Sequence, residues 1–252
     1  LLKSPIEGYK TQPIYATPDK PGYYCANSYI YNNNLINSAE YQQKNSPIIY
    51  NSGDIFLGLD LQHQVIIAQQ DLLREMRNDG VYISFIVYDL LPILMPHNFP
   101  EGVEEVHKQW LTILADMDHL LCISNSVANE LADWLCSQKH LSKAQPKISW
   151  FHLGADIENS IPSTGLPQQA EQILAQLMTQ PSFLCVGTLE PRKGQTQTLN
   201  AFEILWEQNF EGCLVLVGKQ GWKVDDLVKR IENHPEINKR FFWFDSISDE
   251  FL

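Results

Sequence analysis

From Leu61 onward the apolar positions of the chain follow two patterns in turn, helical spacing and short unbroken runs. In LQHQVIIAQQDLLREMRNDG, Val65, Leu72, Leu73 and Met76 fall near one face of a predicted helix, and Gly80 suits its exit. VYISFIVYD follows as an unbroken apolar run, the pattern of a strand covered on both faces. A helix is predicted over 103–117, then a strand at HLLCIS, with Ser124 or Ser126 placed to cap the helix VANELADWLC. The strand KISWFH closes this half. Before Leu61 the pattern is weaker: residues 1–53 are rich in Tyr, Asn, Pro and Ser, with short strand-like pieces and little periodicity.

Residues 153–167, LGADIENSIPSTGLP, are polar and rich in Gly and Pro, and read as a connector. After a short helix near 168–178 the series restarts. Strand SFLCVG, helix QTQTLNAFEILWEQ, strand CLVLVG, helix VDDLVKRIE and strand RFFWF follow one another. Strands alternating with helices predict parallel sheets covered by helices, in two α/β units joined by the linker. The boundary falls between residues 155 and 156.

Composition narrows the class. The 252 residues suffice for two ordinary domains, and 44% hydrophobic with 11% aromatic residues supports substantial cores. A net charge of −12 argues against broad nucleic-acid binding, so any basic site must be local. The five cysteines lie mostly in apolar settings without a CxxC pair; they read as small core residues in a reducing cytoplasm. No run reaches the roughly 18 apolar residues of a membrane span, and no signal peptide is visible. The first residues carry no methionine and the last begin a helix, which reads as a segment of a longer protein.

The clearest chemical signal is FLCVGTLEPRKGQTQTLNAFEILW, residues 183–206. An apolar strand ends in Gly187, which lets a ligand approach the backbone closely. Arg192 and Lys193 follow, and a helix starts after Gly194, directing amides and its positive end to the same place. In a doubly wound sheet, ligands sit beyond the carboxyl ends of strands, where Gly187 and Gly218 both fall. These features predict a local anion site able to hold a diphosphate, or alternatively a solvated turn. The site is neither a Walker loop nor a dinucleotide fingerprint, since GxxxxGK[ST] and GxGxxG are both absent.

This stretch, with LVLVGKQGW and FFWFDSISDEFL, resembles the start of the carboxyl-terminal domain of family-4 glycosyltransferases, retaining enzymes of the GT-B fold. VYDLLPILMP, WLTILADMDHLLCISNSVANEL and WFHLGAD resemble the later part of their amino-terminal domain, in the expected order. The likeness covers residues 53–252 and is nearest to bacterial transferases that build surface polysaccharides. It implies that residues 1–155 form the later part of an acceptor-side Rossmann-like domain. Residues 156–252 then form the start of a Rossmann-like domain that binds the nucleotide-sugar.

The resemblance also implies roles. Arg192 and Lys193 match the cation pair on the donor diphosphate, and Gly187 and Thr188 match the glycine corner beside the donor. Thr188 stands where relatives often carry arginine. Asp89 matches an acidic position facing an interdomain cleft, where it would orient a hydroxyl or stabilise positive charge on the sugar. Tyr88 stands where many relatives have histidine. In the family a glutamate-containing motif follows the position matched by Leu252. The implied reaction moves a sugar from a UDP- or GDP-sugar to a hydroxyl of a glycan or lipid-linked acceptor, with no metal or other cofactor. It would take place in the cytoplasm, in peripheral association with the inner membrane face. A non-catalytic nucleotide-sugar-binding or scaffold protein of the same descent is the alternative.

Other residues carry less. Trp222 reads as donor-pocket support or as packing, and SISDEFL as a contact to base or ribose or as a helix cap. Asp54 and Asp60 read as turn residues and His97 as a surface loop residue. Asp156 stands where the domains are expected to meet. No group of His, Asp and Glu has metal-ligand spacing.

Overall fold

The computed structural model describes residues 7–28, 45–138, 145–155, 161–167 and 169–252. They divide into two compact units, Leu1–Leu90 with Glu105–Leu153, and Leu91–Glu104 with Gly154–Leu252.

In the first unit, strands β3 (Ile55–Gly58), β4 (Tyr82–Val87), β5 (His119–Cys122) and β6 (Lys147–Trp150) form a parallel sheet in sequence order. Helices α1 (His63–Asn78), α2 (Val103–Leu114) and α3 (Asn125–Ser137) alternate with them. The helix read from Val65, Leu72, Leu73 and Met76 forms: Val65, Leu73 and Met76 are buried and Leu72 is half-buried. Gly80 ends it with φ +92°, its amide donating to the Arg77 carbonyl. Ser124 is the cap of α3, its Oγ accepting from the Val127 amide at 3.2 Å. Leu73, Ile83, Trp110 and Leu120 are fully buried, each such side chain contributing roughly 1.5–3 kcal/mol.

The weakly patterned amino-terminal stretch contains an antiparallel hairpin, β1 (Ile14–Thr17) and β2 (Lys20–Cys25). It is held by Gln69, buried on α1. The Gln69 amide oxygen accepts from the Gly22 N–H at 2.8 Å, and its Nε2 donates to the carbonyls of Thr17 and Lys20. Tyr23 packs edge-on against Phe56.

In the second unit, β7 (Ser182–Val186), β8 (Cys213–Val217) and β9 (Phe241–Phe244) form a parallel sheet in sequence order. Period-two alternation splits β8 between two layers. Leu214 and Leu216 join Leu199, Phe202, Trp206 and Ile231 of α5 (Gln195–Glu207) and α6 (Asp225–Glu232). Cys213, Val215 and Val217 face the other way, toward Ile173 and Leu177 of α4 (Ala170–Met178). Central β8 is therefore buried throughout. Equally apolar β7 lies at the sheet edge, and Phe183, Leu184 and Val186 stay half-exposed.

Candidate functional site

The corner at Gly187 is built by two strand exits held side by side. The Gly187 amide donates to the Val217 carbonyl at 2.7 Å, and the Gly218 amide to that of Phe244 at 2.8 Å. Beyond the strands, the Leu189 amide reaches the Lys219 carbonyl and the Gly221 amide reaches that of Leu189. A Cβ on Gly218 would stand 2.2 Å from the Gly187 carbonyl oxygen, so only glycine fits there. A Cβ on Gly187 would stand 2.8 Å from Lys193 Nζ. The lysine ammonium thus lies against the bare Cα at the strand end.

After this corner the chain makes a 3₁₀ turn, Pro191–Lys193, and then α5. Gly194 links the two in the left-handed conformation, φ +72°. Gln195, buried at the start of α5, ties the corner together. Its Nε2 donates to the Thr188 carbonyl at 3.1 Å and its Oε1 accepts from the Glu190 amide at 3.5 Å.

The structure brings the four expected donor-site residues, Gly187, Thr188, Arg192 and Lys193, to this corner. It adds a fifth residue that the sequence reading passed over. Glu190 is only 3% exposed and accepts from Arg192 Nε at 3.1 Å and Nη2 at 3.0 Å. Lys193 Nζ lies 3.2 Å from the same carboxylate. The two cations keep about a third of their side-chain surface open to solvent. Two cations against one carboxylate leave a local excess of one positive charge, beside the positive end of α5. Arg192 directs two of its five N–H groups at Glu190. A guanidinium held in this way has a fixed orientation, unlike a loose surface charge.

Asp89 stands in the first unit, two residues past β4 and half-buried. The β4–β5 ladder ends at the pair Val87 and Cys122, and side chains hold the main chain beyond it. Tyr88 Oη donates to the Leu59 carbonyl at 2.7 Å, a tether just beyond β3. His107 Nε2 donates to the Asp89 carbonyl at 3.2 Å. His107 Nδ1 in turn faces His63 Nε2 at 2.8 Å. Burial, and secondarily His63, push the His107 pKa down to about 4. The ring is therefore neutral at physiological pH.

The weaker candidates make the following contacts. Trp222 stacks on Phe99 at 5.9 Å and donates Nε1–H to the Asn98 carbonyl at 2.8 Å. His97 is exposed on its turn, and its carbonyl accepts from Lys223 Nζ. Asp54 accepts from the Asn51 amide; Asp60 accepts from the Leu61 amide and Gln62. In SISDEFL, Asp249 accepts from the Ser163 amide and hydroxyl, and Glu250 from the Gly165 amide. These bonds, the Ser163 amide first, hold the Asp249 pKa below its usual value. Asp156 lies outside the described residues. All five cysteines are free thiols; Cys122 and Cys213 are buried, while Cys136 is exposed and departs from the core reading. Burial raises the Cys122 thiol to about 11, too high for a nucleophile. Among the described residues no helix is long and apolar enough to cross a membrane.

No family model matches the chain. Its whole length is 40% identical, over 258 aligned residues, to a serotype-specific mannosyltransferase WbdA of Escherichia coli. It is 41% identical, over 255, to another WbdA from that organism. The chain spans 31% of the length of each of these relatives. A solved structure described as trehalose-6-phosphate from E. coli bound with UDP-2-fluoro glucose matches the fold with a TM-score of 0.53 at 17% identity. That match covers 81% of this chain and 50% of the other. The expected α/β fold class of GT-B type is borne out, and so is the resemblance to glycosyltransferases.

Proposed function

We propose that this chain supplies the donor-diphosphate site and a catalytic carboxylate of a retaining glycosyltransferase. The donor is a nucleotide-diphosphate sugar, in the first instance an activated mannose, given the names of the relatives. The acceptor is a hydroxyl of a glycan or lipid-linked chain in polysaccharide synthesis. One observation carries this reading: buried Glu190 presents Arg192 and Lys193 at a glycine corner beside the start of α5.

The chemistry asks for little more than positioning and charge. The bond between the sugar and the diphosphate breaks with negative charge collecting on the departing diphosphate. Arg192 donates a fork of N–H groups to it, Lys193 a point charge and α5 its positive end. Gly187 and Thr188 shape the corner that receives the donor. Asp89 balances positive charge on the sugar or orients the acceptor hydroxyl. The reading gives no role to a metal or other cofactor. Five free thiols fit a reducing cytoplasm, and a lipid-linked acceptor would bring the protein to the inner membrane face.

A thermal-shift panel of UDP-, GDP- and ADP-sugars tests the donor assignment. Stabilisation by one nucleotide series, lost in Arg192→Ala, supports it. Equal melting with and without every nucleotide overturns it.

A further inference from the structure

We propose that His107, backed by His63, is a positioning residue for Asp89. It fixes the Asp89 peptide where the sheet no longer does. The inference rests on the role given to Asp89 above and extends it to two residues of no assigned function.

The geometry carries the argument. His107 lies on α2 with no exposed surface, eighteen residues from Asp89 in sequence. A buried position on that helix asks only for an apolar side chain, and an imidazole there needs both ring nitrogens satisfied. A carbonyl oxygen can only accept, so the contact at 3.2 Å requires Nε2–H on His107. The neutral ring then carries a bare Nδ1, which must receive a hydrogen bond. His63 Nε2–H supplies it at 2.8 Å from the first turn of α1. Trp110 holds both rings in place, with centroids 5.1 Å from His107 and 5.4 Å from His63.

This relay meets the chain just past the end of the β4–β5 ladder. The β4–β5 ladder stops at Val87 and Cys122. Tyr88 is then anchored on one side, to Leu59 beyond β3, and the Asp89 carbonyl on the other, to His107. A tether through the Tyr88 side chain and a hydrogen bond to the Asp89 carbonyl fall on consecutive residues and restrain the backbone from which the Asp89 side chain projects. The charge of Asp89 is also felt within the relay: it acts to raise the His63 pKa, against the larger lowering effect of burial. An apolar core position would need none of these bonds.

The test compares His107→Phe, His107→Gln, His63→Phe and Asp89→Asn with wild type in the full-length protein. Turnover is measured with GDP-mannose and mannobiose, and GDP affinity by calorimetry. His107→Phe keeps ring volume but removes the donor, and should lower kcat about ten- to a hundredfold, as expected of a misplaced reacting group. GDP affinity should stay at the wild-type value, since the Arg192–Lys193 corner belongs to the other compact unit. His107→Gln restores an N–H near the Nε2 position and should recover most of the lost kcat. Nitrogen-15 spectra should show His107 as the neutral Nε2–H tautomer.

Wild-type kcat in His107→Phe, with Asp89→Asn impaired, overturns the positioning role and leaves the role of Asp89 standing. A neutral Nδ1–H tautomer at His107 does the same. Wild-type kcat in Asp89→Asn, or no turnover in wild type, overturns the parent reading and this inference with it. If His107→Phe fails to fold, half-buried His63→Phe decides: lowered kcat with unchanged GDP affinity supports the relay, and unchanged kcat overturns it.

Discussion

Glu190 and Arg192 form a two-bond pair, Nε to Oε2 at 3.1 Å and Nη2 to Oε1 at 3.0 Å, with the carboxylate buried and the guanidinium partly open. The pair turns a surface arginine into an oriented fork. Removing the carboxylate should cost orientation even though it raises the local positive charge. Glu190→Ala is expected to weaken nucleotide-diphosphate binding about tenfold, the equivalent of 1.4 kcal/mol. The binding that remains should depend more steeply on salt, because the freed cations are more exposed. Calorimetric titration at low and high salt checks both. Unchanged affinity beside a lowered melting temperature would make Glu190 purely structural.

The glycine corner makes a prediction about stability. A Cβ on Gly218 would meet the Gly187 carbonyl at 2.2 Å, and its φ of +150° suits no L side chain. Gly218→Ala should therefore force the two strand exits apart and destabilise the second unit by roughly 2 kcal/mol or more. Gly53→Ala shares a positive φ but meets nothing within 4 Å. It should cost less. Urea denaturation of the two variants measures the difference, and equal losses would contradict the close approach.

Acid should act through His107. Its folded pKa of about 4 lies below the usual value near 6.5, because burial disfavours the charged ring. Between those values the unfolded chain binds a proton that the folded chain does not. The contribution is therefore fully present above pH 6.5 and is lost as pH falls toward 4, up to on the order of 3 kcal/mol. Denaturation at pH 7 and pH 4.5 should show a smaller drop for His107→Gln than for wild type. An identical drop would mean that another group governs the acid limb.

Much of this architecture is legible in the residues. Unbroken apolar runs and helical spacing give the strand–helix alternation of both units, and the start of α3 is read to Ser124 or Ser126, of which Ser124 is the cap. Gly187, Arg192, Lys193 and the following helix give the corner. What escapes is set by pairings that no periodicity encodes. The amino-terminal hairpin depends on Gln69, about fifty residues away, for its anchor. His63 and His107 meet across 44 residues, each inside a helix whose pattern explains it as core or surface. β7 and β8 read alike because apolarity cannot tell an edge strand from a central one. Glu190 needed no distant partner, but its role depends on the 3₁₀ turn that folds Arg192 and Lys193 back onto it. An acid two residues before a cation pair, at a strand-to-helix corner, was the available signal.

In the proposed function the Glu190–Arg192–Lys193 corner holds a diphosphate. Hydrogen bonds to charged groups contribute roughly 1.5–3 kcal/mol each. Arg192→Ala and Lys193→Ala should each weaken binding of GDP or UDP by about ten- to a hundredfold. Backbone bonds close the turn, the Lys193 amide to the Glu190 carbonyl at 3.1 Å and the Gly194 amide to that of Pro191 at 3.4 Å. Both variants should therefore stay folded, with a lowered melting temperature because each removes a partner of buried Glu190. Calorimetric titration of wild type, Arg192→Ala and Lys193→Ala with both nucleotides is the most direct measurement. Both variants are expected to bind more weakly while remaining folded; equal affinity in all three proteins would contradict the diphosphate reading.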